Sequence, residues 1–563
     1  MYFKAKRPLT MLVVFIVLSL ILVGCTGGNG SYNESEEPNN ESGTVNTEKI
    51  IRISASGTPK IDPAVGMDTS SSIALINLYD SLVYPADDGS IEPMIAESWE
   101  IDESGLNYTF NLRKGIKFHS GNELTANDVV YSMKRIIAIG EGFASLYVDT
   151  ISDAVAVDDY TVKFTLKEKF GPFLDTLVRL YILDEKSVTA NYNMQDTKYG
   201  EMGDYGKDWL VTNDAGSGPY IVKELRQQEY LYATKFNDYW KPWETDAPES
   251  FKIIDNTEGT TVRTLMSNRE LEITDPWQTK ENMDAMGEIP GVTIDVRFSG
   301  TNKNIMIHTR KAPTDDPNFR KALAYCFDYQ GIINEFPGSF QSVGPVPHDL
   351  PGWNESTTQY STDLEKAKEF LAKSKYANEL DKYPVEIYWI SDVPDDEKIA
   401  LTLQAQAQKI GIKVEVRKAP WISYVDLMST QDSTPNAAII SVSPDYNEAG
   451  AMLKLRYGSK STGTWQQGEW LLSPDFDAKI EDALSTIDRT ERFAKYAEIQ
   501  EEISTEVCPS IWAFDTAERR AYQSEYVFWP SAEKIKNGES VTPVLGYYAY
   551  FRDFKIYPDK MKK

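Results

Sequence analysis

Leu106-Asn107-Tyr108-Thr109-Phe110-Asn111-Leu112, and then Leu124-Thr125-Ala126-Asn127-Asp128-Val129-Val130-Tyr131-Ser132, change their apolar period within one short stretch. Tyr108, Phe110 and Leu112 alternate with Thr109, Asn111 and Arg113, the period of two that turns one face of a strand into a core. Thr125 and Asp128 have the spacing of a capping box, and Val129, Val130, Met133, Ile136 and Ile137 follow at helical spacing. Val162, Phe164 and Leu166 then restore the strand period.

The second half repeats the mixture. Phe319, Ala322, Leu323, Cys326 and Phe327 mark one face of a helix, so Cys326 is expected as a core thiol. Thr362 and Glu365 form a second capping box ahead of Leu364, Ala367, Phe370 and Leu371. A helix from Leu401 to Ile410 passes through Gly411 into a strand at Ile412-Lys413-Val414-Glu415-Val416. Two long helices, one through Ile480, Ala483, Leu484 and Ile487 and one through Phe493, Ala497, Gln500 and Ile503, precede a strand at Cys508 to Phe514. Strands and helices interleave from end to end, which predicts an α/β fold rather than a bundle or sandwich.

At 563 residues with 41% hydrophobic and 12% aromatic side chains, the chain is too long for one core and too apolar for disorder. Its net charge of −27 repels phosphate backbones and anionic lipid heads, so no nucleic-acid partner is expected. Three cysteines and three histidines leave no room for a Cys-rich zinc site or a disulfide framework. No metal or other cofactor is expected.

The first residues read as an address. Lys4, Lys6 and Arg7 precede an apolar run from Leu9 to Val23 that reaches only about 22 Å as a helix, short of the roughly 30 Å hydrocarbon core. Leu22-Val23-Gly24-Cys25 resembles the lipobox of bacterial lipoproteins, which implies cleavage after residue 24 and a lipid on Cys25. Cleavage removes three cations and no acid, taking the charge from −27 to about −30. Residues 25–49, rich in Gly, Asn, Ser and Glu, read as a flexible tether on the outer side of the cytoplasmic membrane.

Catalytic machinery is missing from the motifs. There is no Gly-x-Ser-x-Gly elbow, no His-Glu-x-x-His and no phosphate loop. His119, His308 and His348 each stand apart in sequence from a nucleophile or second ligand. No catalytic residue is assigned.

Ala96-Glu97-Ser98-Trp99-Glu100, the stretch Leu106 to Gly121, and Leu124 to Ser132 together resemble the family 5 extracellular solute-binding proteins, the peptide- and nickel-type components of ABC importers. Gly218-Pro219-Tyr220, Asn237-Asp238-Tyr239-Trp240, Arg310-Lys311-Ala312-Pro313, Asp363 to Lys368 and Ile410-Gly411-Ile412-Lys413-Val414 continue the match. The resemblance implies a two-lobe, type II periplasmic-binding-protein-like α/β fold with a hinge between the lobes. Lobe I would comprise residues 50–85, 187–300 and 512–563, an inserted subdomain 86–186, and lobe II 301–511. It implies a monomeric receptor that closes on a small solute and delivers it to the transmembrane subunits of a permease.

The same resemblance carries candidate ligand residues. Ser443-Pro444-Asp445-Tyr446-Asn447-Glu448 matches the stretch in which an Asp of oligopeptide binders pairs with the peptide's α-amino group, making Asp445 the candidate, with Ser443 and Tyr446 beside it. Trp421 aligns with a pocket-lining Trp. Gly66-Met67-Asp68-Thr69, after Ile61-Asp62-Pro63, falls where the first lobe offers backbone to an extended ligand. Asn304 and Met306 lie on the opposing strand.

Departures are concentrated around the candidate aspartate. Ile439 and Val442 replace an Arg and a Trp, Ala449 replaces a Pro, and Met306 replaces an acid. Two charge-assisted contacts are thereby lost, which leaves a short oligosaccharide open beside a short peptide. Twelve Trp and 32 Tyr supply rings that suit either. A secreted hydrolase on the same scaffold and a receptor that signals without import are the other function classes compatible with the chain.

Overall fold

The computed structural model describes residues 48–348, 350–391, 393 and 395–561, so the expected export signal, Cys25 and all but the end of the expected tether lie outside the described residues. The chain enters through β1 (Ile50–Ala55) and α1 (Thr69–Leu78), whose first turn is capped by Asp68 accepting the Ser71 amide at 2.9 Å. β2 (Ala96–Ile101), β3 (Asn107–Leu112), α2 (Ala126–Ile139), β4 (Ile151–Asp158) and β5 (Thr161–Leu166) follow. The four strands form an antiparallel sheet of order β2-β3-β5-β4, with α2 packed on β4 and β5. Tyr108 and Phe110 face Phe164 and Val162 across this sheet, all four buried, as the alternation requires.

After the short α3 (Phe173–Thr176), the strands β6 (Tyr220–Arg226), β7 (Tyr230–Lys235) and β8 (Ser250–Asp255) return beside β1 in the order β1-β8-β7-β6, with β1 and β8 parallel. A 15-residue strand, β9 (Thr293–Ile307), then leaves this core. Beyond it come α4 (Pro317–Cys326), α5 (Leu364–Lys373), β10 (Val385–Ile390), α6 (Asp396–Gln408), β11 (Val414–Ala419), α7 (Trp421–Met428), β12 (Ala437–Val442), α8 (Ala449–Tyr457), α9 (Pro474–Ser485), α10 (Arg489–Glu502) and β13 (Ser510–Tyr522). The second sheet runs β11-β10-β12-β9-β13.

Two large hydrophobic cores result. One gathers β1, α1, the β2–β5 sheet and the C-terminal stretch from Tyr522 to Ile556, and the other gathers Ile305–Ile307, α4, β10 to β12 and α8 to α10. β9 and β13 pass between them as an antiparallel pair. Their register breaks between Phe298 and Asn302, where Gly300 takes φ +69° against Pro543, and again between Lys303 and Asn304 at the edge of the second core. This is a two-lobe α/β architecture.

Local details depart from the sequence expectations. The cap of α5 is Asp363, which accepts from Glu365 and Lys366, while Thr362 is drawn off to the Phe327 carbonyl at 2.7 Å. β11 starts at Val414, two residues later than expected, and β13 starts at Ser510 because Cys508 stands at φ +46° after a π-turn. Cys326 is fully buried on α4.

Candidate functional site

β12 ends at Val442, and the chain then leaves the second sheet through Ser443 to Glu448. Ser443 shares a 2.7 Å hydroxyl contact with Thr301 at the irregular turn of β9. Glu448 anchors the other end, accepting from Arg492 Nη2 at 2.6 Å and from the Tyr496 hydroxyl at 3.2 Å. Between these ties the side chain of Asp445 makes no hydrogen bond or ion pair with any described residue. Burial pushes its carboxyl upward, against the pull of Arg179 and Lys454. Tyr446 is turned away, its ring edge-on to Phe170 at 5.8 Å and its hydroxyl buried without a partner.

Arg179 comes from the first lobe's side. It is buried, donates to the Leu545 carbonyl at 2.9 Å and lies over the Phe143 ring at 4.7 Å. The C-terminal segment continues to Gly546, where a Cβ would come within 2.8 Å of the Ser72 backbone of α1. The fold therefore links Asp445, through Arg179 and Leu545, to the first turn of α1.

At that turn Ser54, Asp68, Thr69, Asp275, Trp277 and Arg520 line a cavity of about 190 Å³. Asp68 accepts from the Ser70 and Ser71 hydroxyls and the Ser71 amide, and Asp275 from Ser54, Trp277 and Gln278. Arg520 is buried, gives 3.0 Å and 2.6 Å bonds to the Thr274 carbonyl and the Tyr548 hydroxyl, and keeps Nε unpartnered. Gly66 is required by close packing, since a Cβ would lie 2.5 Å from the Lys60 carbonyl. Trp277, 63% exposed, lines this cavity as an apolar rim, and Met67, just before Asp68, is 52% exposed.

Trp421 opens α7 in a cluster with Tyr424, stacked at 6.1 Å, and Trp465, edge-on at 5.2 Å, and is 38% exposed. Asn304 and Met306 do not join these groups. Asn304 is buried beside Asn302, to whose side chain it donates at 2.7 Å, and Met306 lies in the second core with its sulfur accepting from the Gly468 amide. Asp68 is exposed, and its carboxylate is engaged by its own helix cap. Gly66 to Thr69 thus lie together on the first lobe and Asp445 with Ser443 on the second.

Residue patterning missed Arg179, Trp277 and Arg520. Arg179 had a signal, being the lone cation in the apolar stretch Phe173 to Leu183, whereas Arg520 follows Arg519 in a strand where nothing local says which is buried. Among the described residues no cluster of His, Cys, Asp and Glu is placed to hold a metal ion. A larger cavity of about 630 Å³ is bordered by Asp87, Arg297, Asn447, Arg489 and Pro543.

Residues 90–464 match the model of the bacterial extracellular solute-binding proteins, family 5 (Middle). The chain is 26% identical over 496 residues to a probable D,D-dipeptide-binding periplasmic protein of Escherichia coli, covering 85% of this chain and 91% of that one. It is 26% identical over 525 residues to heme-binding protein A of Haemophilus influenzae, covering 88% and 91%. Its fold superposes on the periplasmic binding protein DppA of Helicobacter pylori, solved with the peptide STSA, with a TM-score of 0.69, 24% identity and coverage of 90% and 98%.

Proposed function

Because this chain belongs to the bacterial extracellular solute-binding proteins of family 5, we propose that it captures a short peptide between its lobes and hands it unaltered to an ABC permease. One observation carries the ligand reading: Asp445 is a half-buried carboxylate without a partner among the described residues, and a ligand ammonium would supply the missing cation. The first-lobe residues Gly66 to Thr69 and the rim at Trp277 receive the remainder of an extended ligand. Lobe I, of residues 50–85, 187–300 and 512–563, and lobe II, of residues 301–511, rock about β9 and β13, with residues 86–186 as the inserted subdomain. A lipid on Cys25 holds the monomer to the outer side of the membrane through its tether. Binding ends in release, with no bond made or broken.

A second reading rests on the exposed indoles of Trp277 and Trp421, which suit ring stacking against an uncharged solute such as a short oligosaccharide. The two readings separate on one variant. Titration of Asp445→Asn with trialanine should show affinity weakened about 10- to 100-fold, the worth of a charge-assisted bond. N-acetyl-trialanine should bind the native protein as poorly. Undiminished trialanine binding by the variant would sink the ammonium assignment, and saturable binding of maltotriose in its place would establish the second reading.

A further inference from the structure

The inserted subdomain touches the second lobe beside the Asp445 loop, where Phe170 meets Tyr446, and continues over glycines. The Gly171 amide donates to the Leu484 carbonyl at 2.7 Å, and a Cβ on Gly171 would overlap the Thr486 carbonyl and the Arg492 guanidinium. Gly89, at φ +76°, accepts Arg489 Nη2 on its carbonyl at 2.5 Å, and a Cβ there would come within 2.6 Å of Pro351. Gly105 rests on Ile487, where a Cβ would have 3.2 Å. Separate turns of one body thus seat against Pro351 and residues 484–492 of the other, backbone on backbone at Gly171 and backbone on side chain at Gly89 and Gly105.

Two carboxyls meet behind this seam. Glu448 is fully buried in the second lobe and held by Arg492 and Tyr496. Asp175, in α3 of the inserted subdomain, is 7% exposed; its amide donates to the Pro172 carbonyl at 3.0 Å, while its carboxyl has no hydrogen bond or ion pair with another described residue. The charged and titratable groups facing it are Glu448, Arg489 and Arg492 across the seam, with Tyr446 beside them. Both arginines are already engaged, Arg492 by Glu448 and the Thr486 and Ile487 carbonyls, Arg489 by Gly89.

We infer that the inserted subdomain is a proton-linked clasp, docking on residues 484–492 when the lobes close and taking up a proton on the Asp175–Glu448 pair as it docks. The inference rests on lobe closure as proposed above but not on which ligand is bound. Docking strips water from Asp175 and sets it against Glu448. Burial first, and Glu448 second, push its carboxyl up against the pull of Arg489 and Arg492. A carboxyl raised on docking favours the docked form fully below its undocked value of about 4, and that advantage is lost as pH rises through the docked value. Closing therefore weakens toward alkaline pH.

Small-angle scattering of the purified protein without ligand, at about pH 5.5 and about pH 8.5, tests this. The native protein should be compact at the lower pH and expanded at the higher. Asp175→Asn, which keeps the shape and removes the charge, should stay compact at both, and Gly171→Val should be expanded at both. Calorimetry with trialanine in buffers of different ionisation enthalpy should show proton uptake by the native protein and none by Asp175→Asn, with affinity falling by up to about tenfold per pH unit. A native radius that does not change with pH, or an equal change in Asp175→Asn, would overturn the clasp. Failure of trialanine to bind would count against the peptide reading alone, since the scattering decides the clasp without it.

Discussion

Arg135 lies inside the first core with no exposed surface, and Asp62 is what allows it. The carboxylate takes both terminal nitrogens at 2.6 and 2.7 Å, and Nε goes to the Tyr205 carbonyl at 2.8 Å. Asp62→Asn should lower stability by about 3–5 kcal/mol, because it leaves a buried guanidinium without its counter-ion, while a double change to two apolar residues recovers much of the loss. Denaturant midpoints of the single and double variants check this; equal midpoints for Asp62→Asn and the native protein refute it. Asp445 is the same residue type in the opposite condition. Nothing in the sequence distinguishes the two, since the partner of Asp62 is 73 positions away and the absence of a partner for Asp445 is a fact of three-dimensional neighbours.

At the next scale, elements were readable where their cause is local. α2 begins where Asp128 accepts the Thr125 amide at 2.8 Å and its hydroxyl at 3.0 Å, within three residues of sequence. The same carboxylate also takes the Glu185 amide at 3.0 Å, a tie between distant segments that spacing does not reveal. Asp128→Ala should therefore cost more than an ordinary cap, about 2 kcal/mol, measured by chemical denaturation. A loss of a few tenths would mean that the long-range tie contributes nothing. At α5 the local signal misled: Thr362 and Asp363 are both acceptable caps, and the choice fell to Asp363 because the Phe327 carbonyl claims the Thr362 hydroxyl.

For the whole molecule, two cores joined by one strand pair predict unfolding that is not two-state. The calorimetric enthalpy should exceed the van't Hoff enthalpy for the unliganded protein, and saturation with a bound solute should raise the transition and draw the two values together. Equal enthalpies without ligand would mean that the lobes unfold as one. The α/β class, the family motifs and the alternating faces of β3 and β5 were determined by sequence alone, because periodicity, capping and turn chemistry act over a few residues. The meeting of Arg179 with Asp445's loop, the burial of Met306 and the glycine seam between residues 89–171 and 484–492 were decided by tertiary structure. Each depends on which surfaces the long passage of β9 and β13 brings face to face, and a contact across hundreds of residues leaves no trace in local spacing.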